Sequence, residues 1–323
     1  MPDILVVGSL NADLVVRTPR FPQPGETISG EDLEVIPGGK GANQAVAAAR
    51  HGAQVSMLGR IGNDSFGDFL LDNLQSNHVD FQYVQRDDAS TGTAIILVDS
   101  NGQNSIVLSA GANGKVSSMD VDNASFADHK LLLLQLEIPI STVLSATQRA
   151  HESGLRVILN PAPAKQLPEE LISLTDYLIP NETELSLLSG MDVNDIPSAE
   201  RAAKTLLTRG VKNVIVTLGS KGALIVTGAQ VIHVESFKVE VVDTTAAGDA
   251  FIGGFATKLL ESASSLHSQG VLANLQEHTL TGTRAPALQN AVRYGCACGA
   301  LATTKFGAQP SLPTKEEVER FIG

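Results

Sequence analysis

KLLLLQLEIPISTVLSATQRAHESGLRVILN, residues 130–160, decides the fold. Residues 130–137 read as an apolar strand, 141–152 as a helix and 155–160 as a second strand. A helix between two strands is a crossover, and a crossover makes those strands parallel within one sheet. The same alternation extends both ways. Upstream lie a strand at 4–10, an Ala-rich helix at 41–50, a strand at 54–59 and a helix at 66–77. Downstream lie a strand at 177–181, helices at 182–189 and 198–209, and a strand at 213–219. The expectation is an α/β fold whose mostly parallel central sheet is flanked by helices on both faces. Ligands of such folds bind beyond the carboxyl ends of the strands.

Two segments break the rhythm. Residues 13–18 with 27–36, and 91–98 with 104–110, read as short strands joined by Pro/Gly or Asn-Gly turns, with no helix between them. They do not fit a βαβ order, so they should leave the main sheet and pair as a small β-sheet lid, built from about 12–36 and 91–111 within a single domain of residues 1–323. A pair of surface hairpins is the plainer reading. Residues 262–288 are polar, with Gly270, Gly282 and Pro286 as breakers, and read as a surface insertion.

Composition excludes several partners. The chain has 323 residues and a formal net charge of −12, a field that repels nucleic acid and anionic lipid. No apolar run approaches the roughly 18 residues that span a bilayer, and residues 1–10 show no basic stretch before their apolar run, which points to a cytoplasmic setting. Cys296 and Cys298, spaced C-x-C in a helical stretch, face different ways and should stay reduced.

Five motifs could carry chemistry. In VVDTTAAGDAFIGGF, residues 241–255, small residues precede a helix starting near Gly248. Ala246, Ala247, Gly248 and Asp249 would offer backbone N–H groups at its N-terminus, where unpaired donors and the helix dipole favour a phosphoryl group. Asp249 in that mouth is either a dipole-stabilising cap or a general base for a hydroxyl that attacks the phosphoryl group. In PGGKGANQAVAAARHGA, residues 37–53, Gly38 and Gly39 allow close backbone approach, and Lys40 and Asn43 lie one helical turn apart. The spacing is neither a Walker A loop nor GxGxxG, and a tightly packed helix start would use the same glycines. GSLNAD, residues 8–13, sets Asn11 and Asp13 on one face of an extended segment, although Asn and Asp after a strand also form turns. Glu137 and Asn181 end strands on the ligand side, with Glu184 three residues beyond Asn181. VTLGSKGA, residues 216–223, reads as strand, glycine turn and strand.

GSLNAD, PGGKGANQA, STGTA, LLQLE, NPAPA, PNETE, TLGSKG, DTTAAGDAF and KFGAQPS, taken in this order, span residues 8–311. That series resembles the ribokinase family of carbohydrate kinases, the phosphofructokinase-B superfamily. The resemblance implies ATP-dependent phosphorylation of the 5-hydroxyl of D-ribose with Mg2+. It implies Asp249 as the base, with Ala246, Ala247 and Gly248 in the anion hole. Asn11, Asp13, Gly39, Asn43 and Glu137 match sugar-binding positions, and Lys40 falls among them. Asn181, Thr217, Leu218, Gly219, Ser220, Lys221, Gly222, Gly248 and Cys296 match nucleotide positions. Cys296 stands where relatives usually carry Asn or His. Glu184 matches the acidic residue that organises Mg2+ through water. Asp243, Thr245, Ala302, Lys305, Gly307 and Ser311 match ligands of an activating K+, which backbone carbonyls and a carboxylate suit. The family commonly forms a homodimer through the lid. The lid carries no aromatic ring, and Leu14, Val16, Ile95 and Leu97 would offer an aliphatic cover suited to a small furanose rather than a nucleobase. A kinase for deoxyribose, a ketohexose or a nucleoside is the nearest alternative. A catalytically silent sugar-binding protein is another, against which the intact AAGD argues. A dinucleotide-dependent dehydrogenase would need a glycine fingerprint that residues 8–13 lack.

Overall fold

The computed structural model describes residues 3–268 and 284–323. In chain order, β1 (Ile4–Val7), β2 (Asn11–Arg17) and β3 (Glu34–Gly38) precede α1 (Lys40–Arg50), β4 (Val55–Gly62), α2 (Ser65–Ser76) and β5 (Asp80–Asp87). Next come β6 (Gly92–Val98), β7 (Asn104–Ser109), α3 (Ser118–Asp122), β8 (Leu131–Leu134), α4 (Ile140–Glu152), β9 (Arg156–Leu159), α5 (Glu169–Ser173) and β10 (Tyr177–Leu178). The rest is α6 (Glu182–Ser189), α7 (Ile196–Thr208), β11 (Asn213–Thr217), β12 (Ala223–Thr227), β13 (Val231–Val234), α8 (Ala247–Ser268), α9 (Arg284–Ala302) and α10 (Lys315–Ile322).

The opening stretch folds as its pattern requires. β8 and β9 are parallel neighbours, with Leu131 opposite Arg156 and Leu134 opposite Leu159, and α4 crosses between them. The run of leucines is buried throughout, because helices cover both faces. Leu133 joins a core under α1, α8 and α9, while Leu132 and Leu134 join a second core under α4 and α7. One nine-stranded sheet results, ordered β13-β12-β11-β10-β9-β8-β1-β4-β5. It is parallel except at β11-β12-β13, where the hairpin expected at residues 216–223 turns through a short 3-10 segment, Gly219–Lys221.

The segments that break the rhythm do leave this sheet. They form a four-stranded sheet ordered β3-β2-β6-β7. Each hairpin is antiparallel, and the two are joined by a parallel β2-β6 pair.

Several boundaries differ from expectation, each for a local reason. The strand at 130–137 stops at Leu134, so Gln135 and Glu137 lie past its end and are free to turn toward the site. Only Glu34–Gly38 of the second lid segment is a strand, since Pro22, Pro24 and Gly25 precede a stretch with few apolar side chains. The strand at 177–181 shortens to two residues because Pro180 lacks the N–H that a further ladder bond needs. The apparent insertion at 262–288 is helical at both ends: α8 runs on to Ser268 and α9 begins at Arg284, while residues 269–283 lie outside the described residues. Cys296 and Cys298 are free and buried, as expected for reduced thiols. Among the described residues no helix is long and apolar enough to cross a membrane.

Candidate active site

Chain breaks after β1, β8, β9 and β10 deliver polar residues to one end of the main sheet: Ser9 and Asn11, Gln135 and Glu137, Asn160, and Asn181. The N-termini of α1 and α8 meet there. Gly39 precedes α1 at φ 87°, in the left-handed region that glycine tolerates, and a Cβ there would stand 2.7 Å from the Asn11 nitrogen. A Cβ on Gly41 would stand 2.6 Å from the Ser9 nitrogen. These two glycines press the start of α1 onto the β1–β2 junction. Ala246 takes φ 58° just before α8, an uncommon conformation for a residue with a Cβ. Among the described residues no acceptor faces the backbone N–H groups of Gly248 and Asp249, whereas the Ala247 N–H, also expected in the anion hole, donates to the Thr244 carbonyl at 3.3 Å.

Asp249 sits at this junction and is only 5% exposed. Its Oδ2 accepts from Asn43 Nδ2 and its Oδ1 from Gln44 Nε2, each at 2.9 Å. Burial pushes its pKa up, opposed by Lys40 and by these two hydrogen bonds. Burial alone would disfavour charge on Lys40, yet Asp249, Glu137, Glu184 and Asp13 together hold its ammonium above the ordinary range. Glu137 Oε2 accepts from the Ser9 hydroxyl at 2.6 Å and from the Lys40 backbone N–H at 3.1 Å. Asn11 Oδ1 accepts from Asn113 at 2.7 Å. Asp13 is raised to about 7 by burial, then by the charges of Glu137 and Asp249, with Lys40 opposing. A Cβ on Gly38 would collide with the Asp13 carboxylate. The structure therefore gathers all six sugar-binding candidates, Asn11, Asp13, Gly39, Lys40, Asn43 and Glu137, around the expected base.

The nucleotide and cation candidates form two further groups. Asn181 caps α6, its side chain accepting from the Glu184 N–H at 2.9 Å, while the Glu184 carboxylate accepts from the Asn181 backbone and side-chain nitrogens at 2.9 and 3.0 Å. Glu184 is raised mainly by burial and feels Lys40 and Asp249. Thr217 bridges to Asn181, and the loop from Leu218 through Gly219, Ser220 and Lys221 to Gly222 follows, its middle exposed. Cys296 is 6% exposed, in one core cluster with Ala223 and Val234, and burial pushes its thiol up to about 12. Asp243 accepts from the Thr245 backbone and hydroxyl at 2.9 and 2.7 Å and from the Gly307 N–H at 3.0 Å. Ala302 ends α9 and its carbonyl accepts from the Lys305 N–H of the following turn at 3.4 Å, and Ser311 is buried with its hydroxyl donating to Ala308. Between this group and the small sheet lies a cleft of about 290 Å³, lined by Asp13, Val15, Ile96, Val98, Thr245 and Phe306 among others.

That lining corrects one expectation. Strand alternation places Val15, Ile96 and Val98 beside Asp13, so Leu14, Val16, Ile95 and Leu97 belong to the opposite face. The cover is still aliphatic. Other functional neighbours escape a sequence reading. Ser9, Asn113, Gln135 and Asn160 carry no spacing signal, because each reaches the site through the fold. Gln44 could have been found, since it follows Asn43 in the helix and the two amides hold the two oxygens of one carboxylate.

The pfkB family of carbohydrate kinases matches residues 1–315. The chain belongs to that family. Among pfkB relatives, the ribokinase of Haemophilus influenzae is 41% identical over 322 residues, 99% of this chain and 98% of that one. A deoxyribokinase of Salmonella typhi is 38% identical over 324 residues, again 99% and 98%. The structure of Arabidopsis thaliana ribokinase complexed with ribose and ATP superposes with a TM-score of 0.85 at 33% identity, covering 99% of this chain and 98% of that one. The pfkB assignment makes the chain a carbohydrate kinase.

Proposed function

We infer that the chain catalyses ATP-dependent phosphorylation of D-ribose on its 5-hydroxyl, giving D-ribose 5-phosphate. One observation carries this reading: a buried carboxylate, Asp249, stands in the mouth of unpaired α8 amides and is clasped by donors from α1. Asp249 takes the hydroxyl proton. The amides of Gly248 and Asp249, with Ala246 and Ala247 shaping the turn, stabilise charge on the phosphoryl group in transit. A pKa raised by burial makes Asp249 a better acceptor than an exposed aspartate, and transfer through a loose transition state asks for no stronger base. Asn11, Asp13, Gly39, Asn43 and Glu137 bind the sugar, with the Lys40 ammonium balancing their charge.

Asn181, the loop from Thr217 to Gly222, and Cys296 bind the nucleotide. Mg2+ arrives with the phosphates, and Glu184 fits an indirect hold through water, its buried carboxylate fixed by Asn181. K+ fits between Asp243 and the turn after α9, since the carbonyls of Thr245, Lys305 and Gly307 accept no hydrogen bond from a described residue. A bound cation there supplies positive charge beside the phosphate loop. The four-stranded sheet is the lid of a single-domain enzyme, and closure over the cleft excludes water as a competing acceptor. Its outer face presents Val35, Leu14, Ile95 and Val107 in one cross-strand row, with Ile95 and Val107 49% and 63% exposed. We assign that row to a homodimer contact. Ile95→Glu should then convert the dimer to a monomer by light scattering, and an unchanged mass would remove this assignment. A cytoplasmic setting, where ATP is supplied, accompanies the reading.

The 38% identity to a deoxyribokinase keeps 2-deoxyribose as the second acceptor to test. Turnover of ATP should be measured with ribose, 2-deoxyribose, fructose and adenosine, with and without K+. Ribose should give the highest kcat/KM, because a site built to hold a hydroxyl penalises a substrate that lacks it. Preference for 2-deoxyribose would reassign the acceptor, and no turnover with any of them would defeat the kinase reading.

A further inference from the structure

The two oxygens of Asp249 are held in different ways. Oδ2 accepts from Asn43, whose own Oδ1 is buried and has no partner among the described residues. Oδ1 accepts from Gln44, whose amide is committed on both sides. Gln44 Nε2 also reaches Asn160 Oδ1 at 3.3 Å, and Gln44 Oε1 accepts from Gln135 Nε2 at 2.6 Å. Asn160 in turn donates through Nδ2 to the Ile179 carbonyl at 3.0 Å, which turns its oxygen toward Gln44. Gln44 and Gln135 are fully buried. Rotating the Gln44 amide by half a turn would set its carbonyl against a carboxylate and a second carbonyl, so only one Gln44 orientation meets its neighbours, although Gln135 Oε1 has no partner among the described residues. Asn43 has no comparable brace, and its orphaned oxygen needs a donor that a sugar hydroxyl can supply.

We propose that Gln44 is the positioning residue for Asp249: braced by Gln135 and Asn160, it fixes Oδ1 and leaves Oδ2 to receive the alcohol proton once Asn43 turns to the sugar. This rests on Asp249 being the base. In the step, the O–H bond of the sugar hydroxyl breaks and its proton passes to Oδ2. The hydroxyl oxygen bonds to the γ-phosphorus, and the bond from that phosphorus to the bridging oxygen breaks, releasing ADP. Gln44 exchanges no proton. The charged groups around Asp249 are Lys40 from α1, Asp13 from β2, Glu137 after β8 and Glu184 from α6. A Gln44 variant leaves all of them in place.

The experiment compares Gln44→Met, Gln135→Met, their double variant and Asp249→Asn in the full chain, with ribose, ATP and Mg2+, across pH. Gln44→Met should lower kcat by about tenfold to a hundredfold while KM for ribose stays within about twofold. The acid limb of kcat should move to higher pH, because a buried carboxylate has lost a donor. Gln135→Met should move both quantities the same way by less, and the double variant should be no worse than Gln44→Met. Unchanged kcat and an unmoved acid limb in Gln44→Met, with Asp249→Asn inactive, would overturn the proposal. Activity retained in Asp249→Asn would instead overturn the base on which it rests. Should Gln44→Met fail to fold, Gln135→Met decides by the same two readouts: a lower kcat with a raised limb supports the brace, and wild-type behaviour refutes it.

Discussion

Asp243 and Asp249 lie in one short segment before and within α8, yet their surroundings differ in kind. Asp243 is half-buried and is held by two backbone N–H groups, from Thr245 and Gly307, together with the Thr245 hydroxyl. Asp249 is buried and is held only by side-chain amides from a different helix. Backbone donors are fixed by the course of the chain, so Asp243 ties the loop before α8 to the turn after α9. Side-chain donors can turn away when a better partner arrives, and in the proposed reaction Asp249 exchanges one of them for a substrate alcohol. On the proposed function, carboxylates of the same type thus become a brace or a base according to whether their partners are exchangeable.

The largest effect should come from Asp249. Replacement by Asn removes the proton acceptor and keeps the shape, so kcat should fall by about 10²–10⁴-fold. Thermal stability should hold or rise, because burial already opposes the charged form. A variant that loses activity together with its fold would blur the contrast, and one that keeps kcat would abolish it. Asp243→Ala should show the inverse profile. Loss of an acceptor shared by three donors should cost about 1–3 kcal/mol of stability, read as a lower Tm. The loosened loop should lower kcat by about tenfold, and any stimulation by K+ should vanish. Full activity and unchanged stability in this variant would show that Asp243 braces nothing.

The contrast also marks what a sequence can reveal. The sheet was legible because runs such as Leu131–Leu134, too short for a helix and set in a strand-helix-strand rhythm, read as buried strands, and the start of α1 was legible because few side chains fit at Gly39. Asp249 stood out through its local motif. The partners that define its role did not, since Gln44 and Gln135 meet only after the chain has crossed from α1 to the end of β8. β5 and β13 escaped notice for a related reason: as outer strands they carry mostly exposed or half-buried side chains and lack a dense apolar run. The face assignment within the small sheet failed by one residue, and a shift of one inverts every side chain of a strand.

Asp13 tests the rule from outside the pair, because its carboxylate accepts no hydrogen bond from any described residue. Its pKa rises from 3.8 to about 7 through burial and the neighbouring Glu137 and Asp249 charges, with Lys40 opposing. A raised carboxyl pKa means that the sugar-free folded chain holds a proton the unfolded chain has released. This contribution to stability is present in full below about 4 and is lost as pH rises through about 7. Ribose hydroxyls would donate to the ionised form, so binding should draw Asp13 toward ionisation and release a proton near neutral pH. KM for ribose should therefore fall by a few-fold as pH rises through about 7, and calorimetry in buffers of different ionisation enthalpy should detect the released proton. Asp13→Asn should bind more weakly and lose both effects. A pH-independent KM in the unaltered chain would mean that the sugar does not supply the donors this carboxylate lacks, and exchangeable partners would then distinguish Asp249 alone.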